Sequence, residues 1–401
     1  MKVMIHKYDY IIIGGGIIGL TIAFQLKQKN PQFKILILEK EDDVARHASG
    51  RNSGVLHAGF YYTADSLKAK FTVDGNRAMR EYCRKKNLSI NECGKLVVAQ
   101  NENELEQLYE LERRGRQNGS TIRLIDEHEA AALEPNIRTF KKALHSPLTA
   151  TVDPTEICQA IKNDLRLSGV EFLFNAKYLK RKNNIVVSTQ GDFEADKIIN
   201  CAGLYADKIA HDFGFGKQYT MIPFKGLYLE YKKNKTDIKI NIYPVPNLKN
   251  PFLGVHFTKT VTGKIKIGPT ATPAFWRENY KGFGGFNALE SLSVLSYEAK
   301  LFLTNSFGFR SLAQEEIKKY NRTYFINLAR ALVKDIDPHG FGDFTRPGIR
   351  AQLLDTKRLS LVQDFVIAGD EKSIHVLNAI SPAFTCSFPF SNYIVQNYIL
   401  K

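Results

Sequence analysis

The residues with the clearest chemical use lie near the start of the chain. Gly14, Gly16 and Gly19 form a G-x-G-x-x-G turn in YIIIGGGIIGL, and Glu39 follows twenty residues beyond Gly19. Glycines let a backbone come close to a pyrophosphate, and a helix starting there offers N–H groups and the positive end of its dipole. A carboxylate at the position of Glu39 can accept hydrogen bonds from ribose hydroxyls and disfavours a 2′-phosphate. A dinucleotide is therefore expected. The next segment, HASGRNSGVLHAGFYY from His47 to Tyr62, carries two histidines, Arg51, the small run Asn52, Ser53 and Gly54, and the pair Tyr61 and Tyr62. Small residues allow a flat ring system to lie against backbone. An NAD enzyme would continue into further strand–helix units, so FAD is the expected cofactor.

These residues must be placed by a frame, and the sequence shows one. YDYIIIGGGIIGLTIAFQLKQKN reads as an apolar strand, a glycine turn and a helix, and KILILE as the next strand. Continuous apolar strands around a helix imply a parallel sheet buried on both faces. DKIINCAGLYADKIA repeats the strand, small turn and helix order. From about Phe215 to Thr272 the pattern changes to alternation, and TKTVTGKIK reads as an antiparallel hairpin with a glycine turn. Ile317, Tyr320, Tyr324, Leu328 and Leu332 recur at helical spacing and are expected in a core. The fold class is α/β with an α+β substrate part: a Rossmann-like FAD-binding domain carrying an inserted mixed or antiparallel-sheet domain. The FAD domain is expected over 1–85, 145–214 and 337–401, and the substrate domain over 86–144 and 215–336.

Composition narrows the function classes. The 401 residues are 44% hydrophobic and 24% charged, as in a globular protein with a large core. Net charge is +15, which favours anionic partners. The densest basic patch, KYLKRK, reads as a solvated strand end rather than a nucleic-acid site, because no stacking aromatics interleave with a long basic run. Five irregularly spaced cysteines without a C-x-x-C exclude a disulfide framework or zinc site and suit a reducing compartment. No metal is expected. The apolar run Tyr10 to Phe24 is glycine-broken and too short to span a bilayer. A cytoplasmic chain is expected, with peripheral attachment to the inner face of the cell membrane left open.

The blocks EKEDDVARHASGRNSGVLHAGFYY, LKAKFTVDGNRAM, ECGKLVVA, NCAGLYAD, IYPVPNLKNPFLGVHFTKTVTGKIKIGPTA, GIRAQ and HVLNAISPAFT resemble, in order, the L-2-hydroxyglutarate oxidases and dehydrogenases. These belong to the D-amino-acid-oxidase-like FAD oxidoreductases. The resemblance is weakest over residues 287–339. It implies FAD contacts at Gly14, Gly16, Gly19, Glu39, Lys40, Asn52, Ser53 and Gly54. It also implies that Tyr178 meets the adenine through its backbone, that Ala202 and Gly203 line the flavin, and that Asn378, Ser381, Pro382, Ala383 and Thr385 close over its ring. Arg350 matches a carboxylate-holding position of amine-oxidising members. The chain departs from the pattern at Arg51, where the family has His, and at Lys225 and Lys259, where bacterial members have Arg; lysine keeps the charge and loses the bidentate fork. Asp370 in AGDEK resembles a ribitol-binding motif but reads as a turn residue.

Oxidising a 2-hydroxy acid needs a hydride acceptor, a base and carboxylate anchors. His57 and His256 are the candidate bases, with His375 third and His47 an orienting or packing residue. Arg350, Lys225, Tyr61, Tyr62 and Arg51 are the candidate substrate contacts, with Lys259 a weaker one. The resemblance implies oxidation of the dicarboxylate L-2-hydroxyglutarate to 2-oxoglutarate, with oxygen or a membrane quinone receiving the electrons. Oxidation of an amine, an amino acid or glycerol 3-phosphate is the alternative on the same scaffold. A flavin-carrying nucleic-acid or membrane adaptor is a third reading, from the charge alone.

Overall fold

The computed structural model describes residues 6–233, 238–246 and 252–401. Residues 247–251, inside one of the blocks above, lie outside them. The chain divides into two compact units. One comprises Met1–Arg51, Pro154–Ile222 and Ala351–Lys401; the other comprises Asn52–Asp153 and Pro223–Arg350. Residues 52–85, 145–153 and 337–350, expected with the FAD domain, thus belong to the second unit, and 215–222, expected with the substrate domain, belong to the first.

The first unit is built on the apolar strands seen in the sequence. His6–Ile13 lies parallel between Ile35–Leu38 and Gly191–Asn200. The sheet extends through Glu171–Leu173 beyond one neighbour and Ser373–Asn378 beyond the other. Tyr178–Lys182 forms an exposed antiparallel edge with Ile185–Ser188, so KYLKRK is a solvated strand. Ile11, Ile12, Ile37 and Ile199 are sealed from water, as expected of a sheet covered on both faces. The helix Ile17–Lys29 packs beside the helices Pro154–Leu167 and Ala383–Ile394. A buried hydroxyl pair, Thr21 Oγ1 and Ser391 Oγ at 2.7 Å, ties the first of these to the last.

The second unit holds an eight-stranded sheet. Its order is Phe341–Phe344, Leu229–Tyr231, Ile265–Gly268, His256–Lys259, Asn241–Pro244, Lys95–Val98, Lys142–Ser146 and Arg123–Asp126. The expected hairpin is present: His256–Lys259 and Ile265–Gly268 pair antiparallel across a turn where Gly263 has φ +79°. Asn241–Pro244 and Lys95–Val98 pair in parallel. Strand alternation sorts the side chains. Leu96, Val98, Ile242 and Phe257 point into an apolar core closed by Phe325, Ile326 and Ala329 of the helix Arg322–Arg330. Lys95, Tyr243, His256 and Thr258 point to the opposite face.

The region after residue 287 is helical, as Ala288–Thr304, Phe309–Lys318 and Arg322–Arg330. The proposed core stripe is divided. Leu332 is buried, but Ile317 and Tyr320 are 60% and 50% exposed. They precede the break at Asn321, which starts a new helix and rotates the register. Among the described residues, no helix is long and apolar enough to cross a membrane.

Candidate active site

In the first unit the glycine turn is built for close backbone approach. Gly14 has φ +113°, and a Cβ there would sit 2.5 Å from the Cys201 carbonyl oxygen. A Cβ on Gly19 would lie 2.1 Å from the Gly14 carbonyl oxygen. Gly16 caps the helix without a side chain, and Ser49 Oγ accepts the Ile17 N–H at 2.9 Å. The buried Glu39 carboxylate accepts the N–H groups of Gly15 (2.7 Å) and Glu41 (3.0 Å), so it lies against the turn. Lys40 bonds Glu41 at 2.6 Å and lies over the Tyr205 ring. Ala202 donates its N–H to Asn200 Oδ1 (3.1 Å). Gly203 has φ +54°, and a Cβ there would meet open space. These features fit a dinucleotide: a helix whose N-cap residue brings no side chain, Gly14 and Gly19 with no room for a Cβ, and a carboxylate at the second strand's end.

The remaining residues expected to contact FAD have varied surroundings. Tyr178 donates its hydroxyl to Asp212 and packs against Phe213. Asn378 is fully buried, and its Nδ2 donates to the carbonyls of Val362 (3.1 Å) and Asp364 (2.6 Å), so its side chain clamps backbone. Ser381 is exposed, Pro382 precedes the helix starting at Ala383, and Thr385 is buried in its first turn. Asn52, Ser53 and Gly54 stand in the second unit. Asn52 Oδ1 accepts the Gly54 N–H at 2.8 Å in a tight turn, and Gly54 has φ +73°. Arg51 Nε donates to the Arg46 carbonyl at 2.7 Å, and His47 pairs with Glu41 at 2.7 Å. Asp370 accepts the Lys372 and Ser373 N–H groups, a turn role. His375 lies on the central sheet, bonded to Asn200 and Ser373, and burial lowers its pKa to about 4.

The second unit brings His57, His256, Tyr61, Tyr62 and Arg350 into one electrostatic neighbourhood. His256 is 3% exposed, and its Nδ1 lies 2.8 Å from the Gly254 carbonyl. A carbonyl only accepts, so Nδ1 carries the proton and Nε2 presents a lone pair. Nε2 is buried without a hydrogen-bond partner among the described residues. Burial is the main cause that lowers the His256 pKa, to about 3, with Lys95 and Lys319 adding to it. His57 is also lowered, by burial first and then by Lys95, His256 and Arg350. Tyr61 packs on Phe60, and its buried hydroxyl has no partner among the described residues. Tyr62 is half-buried and acts on Arg350, as do Tyr228 and Glu316. Arg350 lies over the Phe252 ring at 4.9 Å, and Tyr228 hydrogen-bonds Ser53. Lys225 is held differently, with Nζ donating to Asn279 at 3.0 Å, while its neighbour Phe224 packs on Phe252. Lys259 Nζ reaches the Lys239 carbonyl at 3.4 Å.

Three site features escape sequence reasoning. Asn76 Nδ2 donates to the carbonyls of Leu56, His57 and Leu148 at 3.1 to 3.2 Å, fixing the His57 loop. Tyr243 stacks on His256 with centroids 3.7 Å apart. Lys95 is wholly buried beside that stack. Asn76 lies within one quoted block and Lys95 within another; alternation from Lys95 to Tyr243 was the available signal.

The fold and the glycine turn define a flavin-dependent oxidoreductase. The family model described as DAO, FAD dependent oxidoreductase, matches residues 9–395, and the chain belongs to that family. Within it the chain groups with the L-2-hydroxyglutarate dehydrogenases. It is 34% identical to the mitochondrial protein of that name from Dictyostelium discoideum, over 97% of this chain and 92% of the relative. It is 35% identical to the one from Indibacter alkaliphilus, over 97% and 98%. Among solved structures it is similar to an L-alpha-glycerophosphate oxidase from Mycoplasma pneumoniae with FAD bound, with TM-score 0.77 and 21% identity, covering 98% of this chain and 94% of that one. A glycine oxidase from Geobacillus kaustophilus gives TM-score 0.70 at 17% identity, covering 98% and 94%. Those two likenesses bear on the fold alone.

Proposed function

We propose that the protein oxidises L-2-hydroxyglutarate to 2-oxoglutarate, with His256 as the base. The observation that carries the chemistry is the His256 tautomer: Nδ1–H is committed to the Gly254 carbonyl, and the buried Nε2 lone pair has no partner among the described residues. Such a nitrogen accepts the proton of a substrate hydroxyl. FAD, when bound, takes the hydride from C2. Burial keeps His256 and His57 neutral at working pH, so a base is ready before substrate arrives. Arg350 is the anchor for one carboxylate, and the Tyr61 hydroxyl is a donor awaiting an acceptor. Gly14, Gly16, Gly19 and Glu39 hold the dinucleotide, with Lys40, Ala202 and Gly203 beside them. Asn52, Ser53, Gly54, Tyr178, Asn378, Ser381, Pro382, Ala383 and Thr385 complete the proposed FAD contacts. Lys225 and Arg51 are secondary substrate candidates, because their side chains already serve Asn279 and the Arg46 carbonyl. The substrate choice is supported by the names of the relatives and by the excess of positive charge.

The test is an anaerobic titration of the purified flavoprotein with L-2-hydroxyglutarate, read in the visible spectrum. Bleaching of the oxidised flavin bands is expected, and readmitted air then reports whether oxygen is an acceptor or a quinone is needed. A spectrum that stays oxidised overturns the substrate and moves the reading to amines or glycerol 3-phosphate.

A further inference from the structure

Lys95 puts an amine in a place that strongly disfavours a cation. Its side chain is 0% exposed, and among the described residues Nζ has no hydrogen-bond partner. Three aromatic rings surround it instead: Phe60 and Tyr61 at 4.7 Å and Tyr243 at 4.5 Å from Nζ to the centroid. A structural lysine would be matched to a carboxylate or a carbonyl. None pairs with this one among the described residues.

Its position gives it a use. Lys95, Tyr243 and His256 stand on three adjacent strands and on the same sheet face. The strand order places Tyr243 between the other two. The imidazole is therefore no farther from Nζ than the 4.5 Å and 3.7 Å separations laid end to end. The groups facing Lys95 are the phenols Tyr61 and Tyr243, and the two histidines whose proton affinity it lowers. Its partners across the sheet, Ser146 and Asn241, are uncharged. Arg350 and Lys319 act on the same histidines, and Glu316 acts on Arg350.

We propose that Lys95 is a positioning residue of the oxidation: a caged amine that takes up a solvent proton as an anionic substrate settles beside His256, balancing the substrate's charge through the Tyr243 ring without touching it. This rests on the anionic 2-hydroxy acid reading above. The balance is simple: one proton moves from solvent to Nζ, one positive charge appears, and no electron moves. Burial holds free Lys95 near pKa 7, so the amine is mostly neutral in the resting protein at pH 8. An anion at this range raises proton affinity on the order of tenfold. The ammonium, once formed, also repels a proton from His256 and preserves its Nε2 lone pair. The aromatic cage stabilises the charged form by cation–π attraction and excludes water that would screen it.

The test is calorimetric titration of the FAD-loaded protein at pH 8 with glutarate, a five-carbon diacid with no hydroxyl to oxidise. Running it in two buffers of different ionisation enthalpy counts protons. Uptake of roughly 0.4 of a proton is expected for the wild type, since a tenfold rise from pKa about 7 takes Nζ from about one-tenth to about one-half protonated at pH 8. Lys95→Met should bind glutarate more weakly with no uptake. Lys95→Arg, permanently charged, should bind without uptake. Equal uptake in the wild type and Lys95→Met would overturn the proposal, as would glutarate binding to the wild type with none. Failure of glutarate to bind at all counts instead against the dicarboxylate reading. Lys95 is then read alone, by 13C NMR of lysine ε-carbons. One lysine titrating near neutrality, lost in Lys95→Met, retains the caged amine; all lysines titrating together above pH 9 or so would overturn it.

Discussion

A single hydrogen bond decides which nitrogen of His256 can act. The Gly254 carbonyl takes Nδ1–H, so only Nε2 can receive a proton. His256→Gln should lower kcat by roughly 10²–10⁴-fold, the usual range for loss of a general base. Flavin absorbance per protein should be unchanged, because His256 is not among the proposed FAD contacts. Turnover within a few-fold of wild type would transfer the role to His57. Both histidines were legible in the sequence because each sits in a distinctive block. Lys95 was not, since a lysine opening a short strand reads as solvent-facing until the sheet register puts it beside Tyr243. Arg51 shows the reverse: its residue type suggests an anchor, but its guanidinium is turned to the Arg46 carbonyl.

Elements determine whether those residues arrive in place. The turn between His6–Ile13 and Ile17–Lys29 depends on missing side chains. Gly19→Ala would put a methyl 2.1 Å from the Gly14 carbonyl oxygen, a backbone atom that cannot swing away. The expected result is loss of flavin absorbance from the purified protein; normal flavin content would show that the helix start can shift. The His57 loop depends on Asn76, from the helix Leu67–Lys85. Asn76→Ala would strip three carbonyls of one buried donor, at about 1–3 kcal/mol of stability. Turnover should fall more than flavin content, measured on the same sample. The turn and its flanking strands were legible because apolar runs and glycines act locally. The Asn76 tie was not, because it joins residues 19 to 72 positions apart. The stripe over Ile317 and Tyr320 misled for a related reason: the spacing continues in sequence while Asn321 starts a new helix.

Across the whole molecule, these buried groups give stability a definite pH dependence. The buried histidines His256 and His375 have folded pKa values near 3 and 4, below the ordinary 6.5. The unfolded chain therefore binds more protons between those limits, and stability falls as pH drops through about 6 to 4. Glu298, half of whose carboxylate has no partner, is the opposite case: burial raises it to about 8, so the folded state holds the extra proton between 4.5 and 8. Its contribution declines as pH rises through that window. Lys95 is displaced most informatively, from 10.5 to about 7. Unfolded, it is charged throughout; folded, it resists its proton. The cost is complete below pH 7 and fades as pH climbs toward 10.5. Replacing it with Met removes that cost and forfeits the cation–π attraction, leaving a net gain of about 2 kcal/mol at pH 7. Lys95→Met should therefore melt higher than wild type at pH 6.5, with the gap narrowing at pH 9.5. A gap that stayed constant with pH would mean that Lys95 keeps its proton in the fold, and that its isolation from carboxylates is offset by some other charge.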